Sequence, residues 1–352
     1  MNIIGNKIHQ HIITHNKTVL DALSTINNRG SNALYPIYVI DDSSHVIGSL
    51  TDGDIRRALI EGASVNDNIQ KIMCRNFKYL LGIDDYLKIK QLKSLDLKLV
   101  PLVSADMKII DFIDLKNVRA ILPLDAVIMA GGKGTRLRPH TNNVPKPMLD
   151  LNGEPVIAHN IDRLIKYGVK NFYISVNYMK ECIKEYIHKH YDKLNIEWIE
   201  EDKFLGTIGS IKLVKQFVHN DILLMNADIL TNINLDDFYY NYKETKSDML
   251  VATFDTKVEI PYAVLRINGR RVESFVEKPT YTYYSNAGIY LLNRNCIDLM
   301  PNDKIFDATD LMDLAIKSNK YVCHFPILGY WLDVGTVQNY FKAKEDIKYV
   351  KF

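Results

Sequence analysis

The segment Met129-Ala-Gly-Gly-Lys-Gly-Thr-Arg-Leu-Arg-Pro139 follows directly on the apolar run Ala126-Val127-Ile128. A short apolar run that ends in glycines, with no alternation of polar residues, predicts a buried parallel strand over 125–130. A loop at the carboxyl end of such a strand is where open α/β sheets place their ligands. Glycines let consecutive backbone N–H groups converge on an anion, and Arg136 and Arg138 add fixed positive charge, so phosphate is the expected guest. The spacing is neither G-x-G-x-x-G nor G-x-x-x-x-G-K-[ST], which sets aside the dinucleotide-binding and P-loop readings. Taken alone, the loop has a plain glycine turn as its alternative.

The flanking pattern fits the same architecture. ISVNY (174–178), DILLMNAD (221–228) and MLVATF (249–254) are strand-like, and helical stretches such as 155–166 separate them. The expected fold is a Rossmann-like α/β unit with a mostly parallel sheet. The 352 residues, 47% hydrophobic and 24% charged, leave room for a further domain. A formal net charge of +2 supplies no field for nucleic acid or an anionic membrane, so any anion must be recognised locally. Cys74, Cys182, Cys296 and Cys323 lack a C-x-x-C spacing and are expected to be reduced core residues. The start MNIIGNKIHQHIITH lacks the pattern of an export signal, and no apolar run approaches membrane-spanning length. A soluble cytoplasmic protein is expected. His9, His11 and His15 lie far from any acidic cluster, and metal binding by them is disfavoured.

Before residue 120 the chain repeats itself. In the first unit Thr18 caps a predicted helix from Val19, followed by strands YPIYVI (35–40) and VIGSL (46–50) and a helix near DIRRALIEG. The second unit follows with a helix over 86–92 and the strands LVPLV (99–103) and IIDFI (109–113). Pro123 discourages continuation of either element type, which places the boundary between domains 1–120 and 121–352. With G-S-L-T-D-G-D-I-R-R at 48–57, the first part resembles an α+β CBS-domain pair. That resemblance implies a regulatory adenosine or guanosine nucleotide, with the Thr51 hydroxyl on phosphate and the Asp54 carboxylate on ribose. The second unit has Asp111-Phe112-Ile113-Asp114 where that pattern expects glycine and a hydroxyl, so one site is expected. Thr51 as a simple helix cap is the alternative.

The glycine loop, followed by Val144-Pro-Lys-Pro-Met148, resembles the opening motif of sugar-1-phosphate nucleotidyltransferases. Leu205-Gly-Thr-Ile-Gly209, Asn226-Ala-Asp228, Phe275-Val-Glu-Lys-Pro279, Asn286-Ala-Gly-Ile-Tyr290 and Trp331-Leu-Asp-Val-Gly-Thr336 follow in family order. The resemblance covers about residues 124–340 and implies transfer of a nucleotidyl group to a sugar 1-phosphate with release of pyrophosphate. By it, Ala130, Gly131, Gly132, Gly134 and Thr135 cradle the triphosphate, with Glu201, Gly206 and Thr207 also on the nucleotide. Arg136 meets the departing pyrophosphate, and Lys146 holds a reacting phosphate. Asp228 and Asp333 bind Mg²⁺, for which hard oxygen ligands are suited; without the motif, a turn or cap is the plainer reading of each. Tyr262, Ala263, Asn286, Glu277 and Lys278 contact the sugar phosphate, the last two being otherwise a solvated surface pair. Ala263 stands where the family often has glycine, which narrows the space beside a hexose.

L-G-T-I-G after Glu200-Glu201-Asp202 resembles the mannose-1-phosphate guanylyltransferase form of this motif, so GTP and a GDP-sugar product are expected. Uridylyl or thymidylyl transfer is the alternative. The layout with a CBS pair resembles enzymes acting on an aminohexose 1-phosphate, which makes glucosamine 1-phosphate a candidate acceptor, and a homo-oligomer is expected. A catalytically silent nucleotide-sensing scaffold is the reading from another class; the presence of Arg136, Lys146, Asp228, Glu277 and Asp333 argues against it.

Overall fold

The computed structural model describes residues 5–29, 35–81, 86–116, 119–201, 203, 205–302 and 304–350. The chain divides into two compact units, Met1–Pro123 with Lys166–Gly168, and Leu124–Ile165 with Val169–Phe352.

The first unit contains β1 (Ile12–Thr14), α1 (Val19–Asn27), β2 (Ile37–Ile40), β3 (Val46–Leu50), α2 (Asp52–Ile60), α3 (Tyr86–Ser94), β4 (Leu99–Val103) and β5 (Ile109–Asp114). β1 runs parallel to β2, β3 pairs antiparallel with β2, and β4 and β5 pair antiparallel. Both α1 and α2 begin with a capping box. Thr18 and Asp21 exchange hydrogen bonds of 3.2 and 2.9 Å, and Thr51 and Asp54 do the same at 3.2 and 2.8 Å. This moves the start of α2 to Asp52, upstream of the Asp54 suggested by the sequence. The two halves share a core of Tyr35, Tyr38, Val46, Leu99, Val103 and Phe112, and the Val46 N–H donates to the Met107 carbonyl at 2.9 Å. Within the connection expected at 117–123, residues 117 and 118 lie outside the described set.

The second unit continues with β6 (Asp125–Met129), β7 (Asp150–Leu151), β8 (Glu154–Pro155), α4 (Val156–Lys166), β9 (Asn171–Val176), α5 (Lys180–His190), β10 (Asn195–Glu200), β11 (Asp221–Asn226) and β12 (Ile229–Thr231). Then come α6 (Leu235–Thr245), β13 (Met249–Glu259), β14 (Val264–Asn268), β15 (Arg271–Val276), β16 (Thr280–Asn293), α7 (Arg294–Asp298), α8 (Ala308–Lys317), β17 (Val322–Pro326), β18 (Trp331–Asp333) and α9 (Val337–Asp346). Seven strands form one sheet in the order β10-β9-β6-β11-β16-β13-β17. All its pairings are parallel except those of β16 with β11 and β13. The fold is therefore the mixed α/β architecture with a mostly parallel sheet. β6 has parallel neighbours on both sides, which is why its run is apolar throughout.

Three boundaries differ from the sequence pattern. β9 and β11 end at Val176 and Asn226, leaving Asn177 and Asp228 in loops at the carboxyl edge of the sheet. β13 runs on to Glu259 because β16 accompanies it beyond the core. Of the four cysteines, all free, only Cys296 is buried; Cys74 is exposed and Cys182 and Cys323 are half-buried, which corrects the expectation of four core residues. Cysteine is small enough for partly covered strand and helix positions, so lack of pairing does not imply burial. Among the described residues no helix is long and apolar enough to cross a membrane.

The end of β6 opposite the glycine loop is fixed by Asp125, whose side chain is fully buried. Its carboxylate accepts from the N–H groups of Val218 and His219 at 2.7 and 3.0 Å and from Asn171 Nδ2 at 3.0 Å, and His219 Nδ1 lies 2.7 Å away. Asp125→Ala would leave these donors facing a hole, at an expected cost of about 2–4 kcal/mol in urea unfolding. An unchanged urea midpoint would show that this clamp carries no weight.

Candidate active site

The antiparallel pairing of β12 with β18 sets Ile229 opposite Asp333, so Asp228, one residue before β12, stands beside Asp333 at the end of β18. The Val334 N–H seals the junction by donating to the Asp228 carbonyl at 3.0 Å. From α4, buried Asn160 donates through Nδ2 to the Ala227 carbonyl at 3.1 Å, and Arg163 donates to the carbonyls of Thr231 and Ile233. Gly335 is needed here, since a Cβ on it would lie 2.8 Å from Asp333 Oδ2.

The short 3-10 turn Lys146–Met148 brings Lys146 between the two carboxylates. Its ammonium donates to Asp228 Oδ2 and lies 3.5 Å from Asp333 Oδ1. The lysine side chain is 11% exposed, against 22% for Asp228 and 41% for Asp333. Burial, and after it the negative charge of Asp228, raises the Asp333 carboxyl above its ordinary pKa, while Lys146 and Arg136 pull the other way. Asp228 Oδ1 is buried without a hydrogen-bond partner. An orphaned carboxylate oxygen beside a second carboxylate is a donor set that fits a hard divalent cation. Among the described residues no group of three or more His, Cys, Asp and Glu is placed to hold a metal. A cation here would thus take two protein carboxylates and complete its shell with water or phosphate oxygens.

These groups line a cleft of about 280 Å³, close to the lower end of small-ligand pockets. Of the predicted residues, Ala130, Gly131, Gly132, Arg136, Lys146, Glu201, Gly206, Thr207, Asp228 and Asp333 line it. A Cβ on Gly132 would meet nothing within 4 Å, so the chain's own packing does not demand glycine there. Gly206 (φ +86°) lies against Phe306, where a Cβ would come within 2.6 Å of the carbonyl oxygen. Thr207 is tied to the start of α8 by its N–H on Asp307 Oδ1 (2.8 Å) and its hydroxyl oxygen on the Ala308 N–H (3.1 Å). The Glu201 carboxylate accepts from the Ser175 hydroxyl at 2.8 Å and the Leu205 N–H at 3.1 Å, which fixes it at the cleft wall. Its neighbour Asp202 lies outside the described residues.

Other predicted residues lie off the cleft lining. Gly134 (φ +62°) lets the loop pass Lys146, whose Cβ would be 3.0 Å from a Cβ there, and Thr135, itself exposed, opens the 3-10 turn Thr135–Leu137. Tyr262, Ala263, Glu277 and Lys278 are all exposed, in the connections flanking β14 and β15. Asn286 is also exposed, and its amide binds the Tyr290 hydroxyl and the Gly288 N–H at 2.8 and 2.9 Å. Asn226, which does line the cleft, was not singled out by the sequence, although it opens the N-A-D motif. Gly288 (φ +71°) gives its amide room, since a Cβ would lie 2.7 Å from Asn226 Nδ2.

In the first unit, Thr51 lines a separate cavity of about 500 Å³ with Tyr38, Phe77, Lys78, Asp96 and Lys98. Asp54 is not on its wall. One Asp54 oxygen accepts from the Thr51 N–H (2.8 Å) and hydroxyl (2.7 Å), and the other takes Arg57 at 2.5 Å. The capping role is therefore present in full.

Comparison with known proteins gives a match to the nucleotidyl transferase family model over residues 125–349 and to the CBS domain model over 10–61. A mannose-1-phosphate guanyltransferase of Yarrowia lipolytica is 31% identical over 229 residues, which cover 62% of this chain and 62% of that protein. A bifunctional protein GlmU of Methanocaldococcus jannaschii is 32% identical over 221 residues, 60% of this chain and 51% of its own. The chain thus matches less than two thirds of the length of these relatives. The solved structure of HddC from Yersinia pseudotuberculosis, also known complexed with GMP-PN, superposes with a TM-score of 0.51 at 29% identity over 64% of this chain and 99% of that one.

Replacing Lys146 by Met leaves Asp228 and Asp333 facing each other with no cation between them. Lys146→Met is expected to lower stability by about 1–3 kcal/mol, and Asp228→Asn in the same chain to recover part of it. Additive losses in urea unfolding would mean that the three charges are not coupled.

Proposed function

The chain belongs to the nucleotidyl transferase family, and we propose that it transfers GMP from GTP to a hexose or aminohexose 1-phosphate. The observation that carries the reading is Lys146 set between Asp228 and Asp333 in the lining of a cleft that also carries Gly131, Gly132 and Gly206, with Asp228 Oδ1 unpartnered. In the proposed reaction an oxygen of the sugar phosphate attacks the α-phosphorus of the nucleotide. The bond from that phosphorus to the β-phosphate oxygen breaks, and pyrophosphate leaves with the electron pair.

Two polyanions must meet in line, so positioning and charge neutralisation suffice without a protein nucleophile. Backbone N–H groups of Gly131 and Gly132 would receive the triphosphate, and Arg136 would stabilise charge on the departing pyrophosphate. Lys146 would hold a reacting phosphate. Asp228 and Asp333 would hold Mg²⁺, which supplies neutralisation of charge shared between the phosphates. Glu201, with Gly206 and Thr207, would bound the base and ribose. The guanine reading is supported by the L-G-T-I-G loop and by relatives named as guanyltransferases. Those relatives are named for mannose 1-phosphate; glucosamine 1-phosphate is the aminohexose candidate for this chain. Glu277, Lys278, Tyr262, Ala263 and Asn286 are assigned to the sugar phosphate on motif grounds.

In the first unit we assign the 500 Å³ cavity to a regulatory adenosine or guanosine nucleotide, with Thr51 at its edge and Lys78 and Lys98 available to phosphate. Domains at 1–120 and 121–352 are part of the same proposal.

A panel of GTP, UTP and dTTP against mannose, glucose and glucosamine 1-phosphates, read by pyrophosphate release, tests the substrate assignment. GTP should lead, and a preference for UTP or dTTP of about tenfold, ~1.4 kcal/mol in transition-state binding, would overturn the guanine reading. Asp228→Asn and Asp333→Asn should each lower kcat/KM by on the order of 100-fold. Wild-type turnover in both would remove the metal assignment. For the first unit, calorimetry of the full chain with AMP and GMP should show weaker binding in Asp54→Ala, which frees Thr51 from its cap; equal binding excludes Thr51 and Asp54 from that site.

A further inference from the structure

Residues 254–285 leave the central sheet as a single long β-ribbon. Its root is the continuation of β13 and β16, paired from Phe254↔Ser285 to Glu259↔Thr280, and its outer part is the β14–β15 hairpin, from Val264↔Val276 to Asn268↔Arg271. Between residues 258 and 284 every residue is exposed except Ile260, Val264 and Pro279, which are half-buried. A two-stranded ribbon with both faces in water is marginal by itself. This one is also far from polar. Val258, Tyr262, Leu265, Ile267, Val272, Phe275, Val276, Tyr281, Tyr283 and Tyr284 are all exposed large apolar or aromatic residues, Phe275 at 65%.

The strand register sorts these side chains by face. On the hairpin, Leu265 stands opposite Phe275 and Ile267 opposite Val272, with one bulge between Arg266 and Ile267, so these four share one face. On the root, Val258 stands opposite Tyr281 and Thr256 opposite Tyr283, again on one face. The reverse face of the root carries Asp255, Lys257 and Glu259, with Tyr284 opposite Asp255. The apolar side chains of these two faces leave on the order of 700 Å² exposed. That exceeds the ~300–600 Å² patch of an ordinary monomer and matches the ~800 Å² each partner contributes to a standard interface.

We propose that this ribbon is a self-association surface, covered in solution by the same ribbon of a second copy of this chain around a two-fold axis. Two features select a copy over another occupant. A two-fold axis brings identical surfaces together, so the apolar face of one ribbon meets the same face of the other. The ribbon is also charged with opposite net sign at its two ends. The outer part holds Arg266, Arg270 and Arg271 against Glu273, while the root and its junction hold Asp255, Glu259 and Glu277 against Lys257 and Lys278. Antiparallel docking lays the cationic tip of each copy along the anionic root of the other. The proposal shares Tyr262, Glu277 and Lys278 with the substrate reading, but its readout is mass and not turnover.

The test is the mass of the full chain in solution by light scattering or sedimentation, for the wild type, for Leu265→Asp with Phe275→Asp, and for Ser274→Asp on the other hairpin face. The wild type should sediment as a dimer, the double variant at half that mass, 40.5 kDa, and Ser274→Asp as the wild type. Because the substituted side chains are exposed, each of the three should still unfold in a cooperative thermal transition, which separates lost association from lost folding. A monomeric wild type overturns the proposal. So does a double variant that stays dimeric, which would assign the contact to another surface. Dissociation by Ser274→Asp as strongly as by the double variant would also overturn the assignment to this face.

Discussion

Two carboxylates held side by side repel, and the second unit of this protein is built to hold them so. The β12–β18 pairing fixes Asp228 next to Asp333, and the Lys146 ammonium between them offsets the repulsion. The cost of such an arrangement falls on the frame around it. Asn160 and Arg163 on α4 hold the carbonyls of Ala227, Thr231 and Ile233, which restrains the turn carrying Asp228 and the strand β12 after it. Burial first, and then the charge of Asp228, leave the Asp333 carboxyl raised in spite of Lys146 and Arg136. One further positive charge is what the cluster lacks, and the buried, unpartnered Asp228 Oδ1 marks where it is lacking.

Much of this was legible in the sequence because it is local. An apolar run ending in glycines gave β6 and the loop beyond it, and Thr18 ahead of Val19 marked the capped start of α1, since each signal spans only a few residues. The residues that steady the cleft were not legible. Asn160 reaches Ala227 and Ser175 reaches Glu201 across long stretches of sequence, and Gly288 is recognisable as necessary only once Asn226 is seen against it. Strand limits erred for a similar reason: β13 reads as an apolar strand to about Phe254, and only its pairing with β16 carries it to Glu259. Motif order drew Tyr262, Ala263, Glu277, Lys278 and Asn286 toward the cleft, whereas in the structure they do not line it.

The first unit shows how one hydroxyl limits what a site can do. Thr51 Oγ donates to Asp54 Oδ2 and accepts from the Asp54 N–H, so a single lone pair is left for a ligand. A phosphate oxygen, an acceptor, cannot use that lone pair; a ribose hydroxyl can. The motif resemblance gave Thr51 the phosphate and Asp54 the ribose. Under the proposed reading Thr51 would take the ribose, and Lys78 and Lys98 on the same cavity wall the phosphate.

The β-ribbon connects the two ends of the argument. Its paired strands carry the apolar face, while Tyr262, Ala263, Glu277 and Lys278 occupy the irregular connections where the hairpin joins the root. Connections of this kind follow the strands they join, and a ribbon exposed on both faces has little within its own chain to hold it still. Packing against a second copy would restrain the strands and, through them, the connections. Tyr262, Ala263, Glu277 and Lys278, which stand exposed and off the cleft lining, would then take their positions from the assembly.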